Sequence, residues 1–387
     1  MKQKIQKFQT LETPFYFYNL DRLDNVLSVA VEESARYHYH LHYAIKANAH
    51  PKILERIKSY GLGTDCVTGQ EVEASLKAGF DASKIAFAGV GKSDKEIISA
   101  LEADIFSFNV ESIEELKVIE ELAQKHEKTA RVALRINPDV KANTHKYITT
   151  GLEENKFGIN LWELDAVAEV LKKAQRLELT GIHFHIGSQI TDLSAFKHLC
   201  LRINEIQDWF TEKKLNLKHI NVGGGLGIDY EFPDEKLIPD FVNHFRIFDQ
   251  FLELKPRQEV HFELGRALVA AAGDLISRVL FVKKGVKTNF AILDAGMTEL
   301  IRPALYQAYH KIDHLTPEST EMEKYDVVGP ICESSDCFGK QITLPLLKRG
   351  DLIAIRATGA YGEVMASNYN LRPKAKSIFY SQEKGWE

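Results

Sequence analysis

The chain has 387 residues, 44% hydrophobic and 27% charged, with a formal net charge of -5. That is a globular composition, long enough for two domains or for one large barrel with an addition. Its interspersed charges and lack of a long apolar run argue against nucleic acid or a membrane as partner.

The opening, MKQKIQKFQT, has neither the apolar core nor the small-residue cleavage site of a secretory leader. The four cysteines, Cys66, Cys200, Cys332 and Cys337, show no zinc-like CxxC spacing and are too few for a disulfide framework. A cytoplasmic protein is the expectation. The run PFYFYN reads as a strand ahead of the first helix. From about residue 40, short β-rich runs alternate with amphipathic helical patterns, as in βα units. The strand-like runs are LHYAIK, LGTDCV, KIAFAGV, DIFSFNV, ARVALRIN, LTGIHFHIG, HINVGGG and EVHFELG. Several are almost continuously apolar, the mark of parallel strands covered on both faces. Between two of them, Ile113, Leu116, Ile119 and Leu122 recur at helical spacing. Eight such runs predict an α/β fold, a (β/α)8 TIM barrel over residues 28–265. An open doubly wound sheet fits less well, because no strand–GxGxxG–helix unit is present. After Gly265 the runs LISRVLFVKKG, NFAILDAG, KYDVVGP, DLIAIRATGAY and KSIFYS predict a C-terminal all-β domain. PFYFYN is expected to join it, so that residues 1–27 and 266–387 form one unit.

In such a barrel, the carboxyl ends of the strands build the site. Here those ends carry Lys46, Asp65, Asn109, Arg135 with Asn137, His183 and His185, Gly223 to Gly225, and Glu263 with Arg266. Lys46, in YAIKANAH, closes an apolar run, where a partly desolvated amine is suited to forming an imine. VGGGLG follows a strand and lets backbone N–H groups approach a phosphate, with Arg266 adding a charge-assisted bond. HFHIGSQ offers two imidazoles and a hydroxyl; without a carboxylate at metal spacing, no metal is expected there, and a ring stacking on a planar cofactor is the better use. Glu263 can keep a pyridine nitrogen protonated. Together these point to pyridoxal 5'-phosphate.

These residues closely resemble the barrel-type pyridoxal-phosphate decarboxylases, and among them the diaminopimelate decarboxylases. The resemblance runs through TPFYFY, YAIKAN, RINPDVKANTHKYITTG, KFGI, HFHIGSQ, VGGGLG and ELGR. It continues through LDAGMTELIRPALYQAYH, VVGPICESSD and ATGAYGEVMASNYNLRP. It implies an alanine-racemase-like barrel with a β-domain, usually in a homodimer with shared sites. It also implies decarboxylation of meso-2,6-diaminopimelate to lysine and carbon dioxide. By the same resemblance Lys46 is the Schiff-base lysine, His185 the stacking ring and Glu263 the pyridinium partner. Asp65, Ser188, Gly223, Gly224, Gly225, Gly265 and Arg266 would complete the cofactor's cradle. Arg302, Tyr306 and Arg266 would hold the substrate's distal carboxylate and Glu333 its distal ammonium. Cys332 would be the proton donor reaching the neighbouring subunit's site, and Tyr361 would touch phosphate and substrate. The nearby Asp336 suggests that the Cys332 loop is exposed and polar. Arg302 and Tyr306, four residues apart, can share a helical face. Asp294 and His145 receive no role. Two departures from the family pattern are Leu264, where proline is common, and Thr68 with Gln70, where Ser and Gly are usual. Alternatives on the same chemistry are ornithine, lysine and carboxynorspermidine decarboxylases, or an amino-acid racemase. From another class comes a non-catalytic binding protein derived from a decarboxylase.

Overall fold

In a computed structural model, residues 2–140 and 156–387 are described; His145 and the 141–151 part of the RINPDVKANTHKYITTG motif lie outside them. The chain divides into two compact units: Leu27–Gly227 with Asp240–Gly265, and Met1–Val26 with Ile228–Pro239 and Arg266–Glu387.

The second unit opens with helix α1 (Lys2–Gln9) and strand β1 (Phe15–Asn19). The opening reads as merely polar in sequence, yet Phe8 is buried against Phe15 and Phe17. The first unit is a closed barrel of eight parallel strands. They are β2 (His40–Ala44), β3 (Gly63–Cys66), β4 (Ile85–Phe87), β5 (Ser107–Val110), β6 (Ala130–Arg135), β7 (Leu177–His183), β8 (His219–Asn221) and β9 (Glu259–Leu264). The barrel closes where β9 pairs with β2. Every residue of β3, β4, β5 and β8 is buried, as expected for strands covered by helices outside and side chains inside. The helix Ile113–Lys125 shows how the outer layer forms. Ser112 caps it by accepting the Glu115 N–H, and Leu116, Ile119 and Leu122 face inward. Each of these burials stabilises by about 1.5–3 kcal/mol. Thr68, one of the departures, caps the helix Gly69–Lys77 in the same way, the job a serine would do.

The second unit continues with β10 (Gly273–Lys284), β11 (Asn289–Leu293), β12 (Ile312–His314), β13 (Met322–Val328), β14 (Cys337–Pro345), β15 (Leu352–Ile355), β16 (Lys376–Ser381) and β17 (Gly385–Trp386). They form a nine-stranded sheet with β1 at its heart, antiparallel to β10 and parallel to β16. The early strand thus joins the late sheet, as its sequence predicts. The fold is a TIM-type barrel plus a separate, strand-rich domain.

Candidate active site

Among the described residues, the barrel's carboxyl end gathers the polar groups that its sequence places there. Lys46 sits in a single turn directly after β2, and its Nζ donates to Asp65 Oδ2 at the end of β3 (3.0 Å). Asp65 is buried, and its Oδ1 has no hydrogen-bond partner among the described residues. Burial first, then the nearby Glu263, push its carboxyl up to about 7 despite Lys46.

Glu263, on β9, is held on three sides. Asn109 Nδ2 (2.8 Å) and Asn221 Nδ2 (2.7 Å) donate to Oε1, and His183 Nε2 (2.8 Å) lies on Oε2. Burial opposes its ionisation, but His183 and Lys46 together outweigh that and keep the carboxyl well below its usual range. A buried carboxylate with its lone pairs aligned by amide donors is built to remain charged. Asn109 stands out in the sequence as a polar strand end. Asn221 was missed, because it stands next to the glycine run that draws attention; asparagine is rare enough in strands to have signalled it.

His185 lies past the end of β7 and is partly buried. Burial, then the charges of Arg135 and Lys46, hold its imidazole neutral, with a pKa well below the ordinary value. Gly224 N–H points at its Nδ1 (3.4 Å). The glycines are a steric requirement. A Cβ at Gly223 would lie 2.1 Å from the Phe184 carbonyl, and one at Gly224 2.0 Å from that of Glu263. Gly223 spends its own N–H on Asn221 Oδ1 (2.9 Å), so as a phosphate ligand it is the weaker of the three. Gly265 packs against Ala44 and Ala47, where any side chain would crowd the Lys46 turn. Ser188 occupies the loop between His185 and the Ile190–Leu226 bridge, partly exposed.

In the second unit, the buried Arg302 opens the short helix Arg302–Tyr306, which ends on the partly buried Tyr306. Tyr230, which the sequence reading missed, joins two of the predicted arginines. Its hydroxyl accepts from Arg266 Nη1 (2.7 Å) and Arg302 Nη1 (2.8 Å). Burial resists its ionisation, but the two guanidinium charges outweigh it and lower the phenol. A tyrosine in a loop has no periodicity to announce it. Arg302 also meets His310 Nε2 (3.3 Å), whose Nδ1–H donates to the Arg356 carbonyl. The Arg266 guanidinium lies 4.9 Å over the Tyr361 ring, and Tyr361 itself takes a left-handed backbone (φ 57°), a strained state for a bulky residue.

Cys332 and Glu333 are exposed, with Tyr369 OH donating to Glu333 (2.9 Å). The loop around Cys332 is exposed, as its sequence suggests, while Asp336 beside it is buried and accepts from the backbone N–H groups of Met297 and Ile331. Its polarity shapes the loop from inside. Asp294 likewise accepts from Ser277 and the Arg278 N–H, a structural use.

Residues 24–270 match the family described as pyridoxal-dependent decarboxylase, pyridoxal binding domain. The chain is 57% identical over 96% of both chains to a diaminopimelate decarboxylase of Bacteroides thetaiotaomicron. It belongs to the diaminopimelate decarboxylase family. Its fold matches the solved diaminopimelate decarboxylase of Helicobacter pylori complexed with L-lysine, with a TM-score of 0.92 and 40% identity over 99% of this chain and 95% of that one. The enzyme of M. jannaschii in co-complex with L-lysine matches with a TM-score of 0.90 and 34% identity, over 99% and 90% of the two chains.

As a family member the chain is a pyridoxal-phosphate enzyme, and the barrel's residues fit that group. The glycine loop has room only for backbone, Asp65 keeps a buried oxygen unengaged, and Glu263 is an aligned, charged carboxylate at the same barrel end.

Proposed function

We propose that this protein removes carbon dioxide from meso-2,6-diaminopimelate to give L-lysine. The observation that carries the reading is the ionised Glu263, clamped by Asn109, Asn221 and His183 at the barrel end that also bears Lys46. The 57% identity to a diaminopimelate decarboxylase selects the substrate.

Pyridoxal phosphate, when bound, supplies a protonated ring that accepts the electron pair released as the carboxylate departs. Lys46 would hold the cofactor through its amine, at the turn directly after β2. Glu263 would keep a ring nitrogen protonated, and the flat, neutral His185 would hold the ring by stacking. Ser188, Gly224, Gly225 and Arg266 would hold the phosphate, with Gly223, Gly265, Asp65 and Tyr361 completing the set of cofactor residues. Arg302, with Tyr306 and Arg266, binds the distal carboxylate as a planar fork, and Glu333 binds the distal ammonium. Tyr230 keeps the Arg266 and Arg302 guanidinium groups aimed while no carboxylate is bound. Cys332 returns a proton from its Sγ to the α-carbon after the carboxylate leaves. The Cys332 loop serves the partner subunit's site in a homodimer, and the protein works in the cytoplasm.

The test follows carbon dioxide release from meso-diaminopimelate, ornithine, lysine and carboxynorspermidine. Diaminopimelate should be preferred by orders of magnitude. Equal turnover of a substrate with no second carboxylate would overturn the assignment. Lys46→Ala should abolish both turnover and the visible absorbance of the bound cofactor.

A further inference from the structure

At the opposite end of the barrel from Lys46, the amino-terminal ends of β2 and β9 carry a histidine cluster that the decarboxylation chemistry leaves unused. His40 and His261 are register partners across the β2–β9 seam, and Glu259 precedes His261 by two residues on the same face of β9. The ligand atoms of His40, Glu259 and His261 all lie within 4.8 Å of one another. His261 Nε2 is 3.5 Å, and His40 Nε2 3.8 Å, from Glu259 Oε2. A cleft of about 370 Å³ opens beside them, lined in part by Tyr39, His42 and Lys84.

The protons of this cluster can be assigned by following its hydrogen bonds inward. His42 Nδ1 faces the Lys84 carbonyl (3.1 Å), which can only accept, so that nitrogen carries the hydrogen. With its hydrogen on Nδ1, a neutral His42 ring presents Nε2 as an acceptor. His261 Nδ1, 2.8 Å away, must therefore donate. That leaves His261 Nε2 with a bare lone pair, buried and without a hydrogen-bond partner among the described residues. The lone pair lies 3.5 Å from a carboxylate oxygen, a proximity that repels unless a cation joins the two. The His42 contact has the form that orients metal-bound imidazoles: the far nitrogen donates to a fixed acceptor, and the near one is free to ligate.

We infer that His40, Glu259 and His261 form a binding site for a borderline divalent cation of the Zn2+ type, with water in the fourth position. Two imidazoles and a carboxylate suit zinc, which wants bonds of about 2.0–2.2 Å. The separations here are wider than a closed site needs. The two outer ligands can supply the contraction, since the side chains of His40 and Glu259 are 50% and 58% exposed while that of His261 is fixed at 5%. Bound there, the ion would bridge the first and last strands at the seam where the barrel closes. This site is separate from His183 and His185, the pair for which the sequence offers no metal partner.

The experiment uses tag-free holoenzyme with its pyridoxal phosphate in place and titrates Zn2+ against a chromophoric chelator. His40→Ala and Glu259→Gln serve as variants, since both side chains are half exposed. Wild type should bind one Zn2+ per chain at this site. Each variant should bind it at least about tenfold more weakly, with cofactor absorbance and decarboxylation unchanged. Crystals soaked in Zn2+ should show anomalous scattering between the three side chains. The inference is overturned if wild type binds no Zn2+ there, or if either variant stays within that tenfold. Cys332, left intact in both variants, cancels from the comparison.

Discussion

Glu263 depends on its neighbours for its charge, and that makes its chemistry separable from its packing. Glu263→Gln keeps the shape and the two amide contacts but removes the carboxylate proposed to hold a ring nitrogen protonated. It should retain cofactor while kcat falls by about 10²-fold or more, in line with the loss of an aligned electrostatic partner. Retained cofactor absorbance with full activity would remove Glu263 from the scheme. Asp65 makes the opposite case. Its folded-state pKa of about 7 lies above the roughly 3.9 of an unfolded chain, so the folded state holds the extra proton in between. Its contribution to stability is therefore fully present below about pH 4 and is lost as pH rises to about 7. The stability difference between apo Asp65→Asn and apo wild type should accordingly grow in the variant's favour across that window. The span of about three units sets an upper size on the order of 4 kcal/mol. Chemical denaturation at pH 4, 5.5 and 7 would read it; a flat difference would mean that Asp65 is ionised throughout.

At the scale of elements, two buried cations show what holds the loops around the sites. The Lys92 ammonium is fully buried, and its three donors meet three acceptors: Gly89 O (2.8 Å), Asn109 O (2.9 Å) and Glu115 Oε1 (2.6 Å). It pins the loop after β4 to the end of β5, beside Asn109. Lys92→Met leaves Glu115 buried without its counter-charge and should cost about 3–5 kcal/mol, seen as a lower midpoint in urea. Arg356 does the same in the second unit, bonded to Asp234, Asp274 and Asp313. Asp234 shares the Ile228–Pro239 segment with Tyr230, so Arg356→Met should loosen that segment and raise KM for diaminopimelate more than it lowers kcat. These devices mark the limit of what a sequence displays. Polar ends of apolar parallel strands are conspicuous, which is why Lys46, Asp65, Asn109 and Glu263 can be picked out one by one. β12 escapes notice because it is only three residues long, and β14 because it is mixed in polarity, with Lys340, Gln341 and Thr343 exposed. Tyr230 and Asp336 lie in loops, where the partner rather than the spacing gives a residue its meaning. Asp336 marks the Cys332 loop as polar in sequence, and only the fold shows it to be the buried acceptor for two backbone donors.

For the whole molecule, the question is whether one chain suffices. Cys332 and Glu333 are exposed on this chain, although a group delivering a proton to a carbanion works best out of water. The proposed homodimer, in which that loop completes the partner's site, would resolve the conflict, and it makes a sharp quantitative claim. Lys46→Ala and Cys332→Ala homodimers should each be almost inactive. When the two are mixed and allowed to exchange subunits, half of the dimers become mixed. In a mixed dimer one site combines the intact Lys46 of one chain with the intact Cys332 of the other, while the second site carries both lesions. Activity should therefore return to about one quarter of the wild-type level per site, a value fixed by the two-fold symmetry and not by any rate constant. Were Lys46 and Cys332 to act within a single chain, no mixture could restore turnover. Recovery near that fraction, with cofactor absorbance confined to the chains that keep Lys46, would assign the proton donor to the opposite subunit.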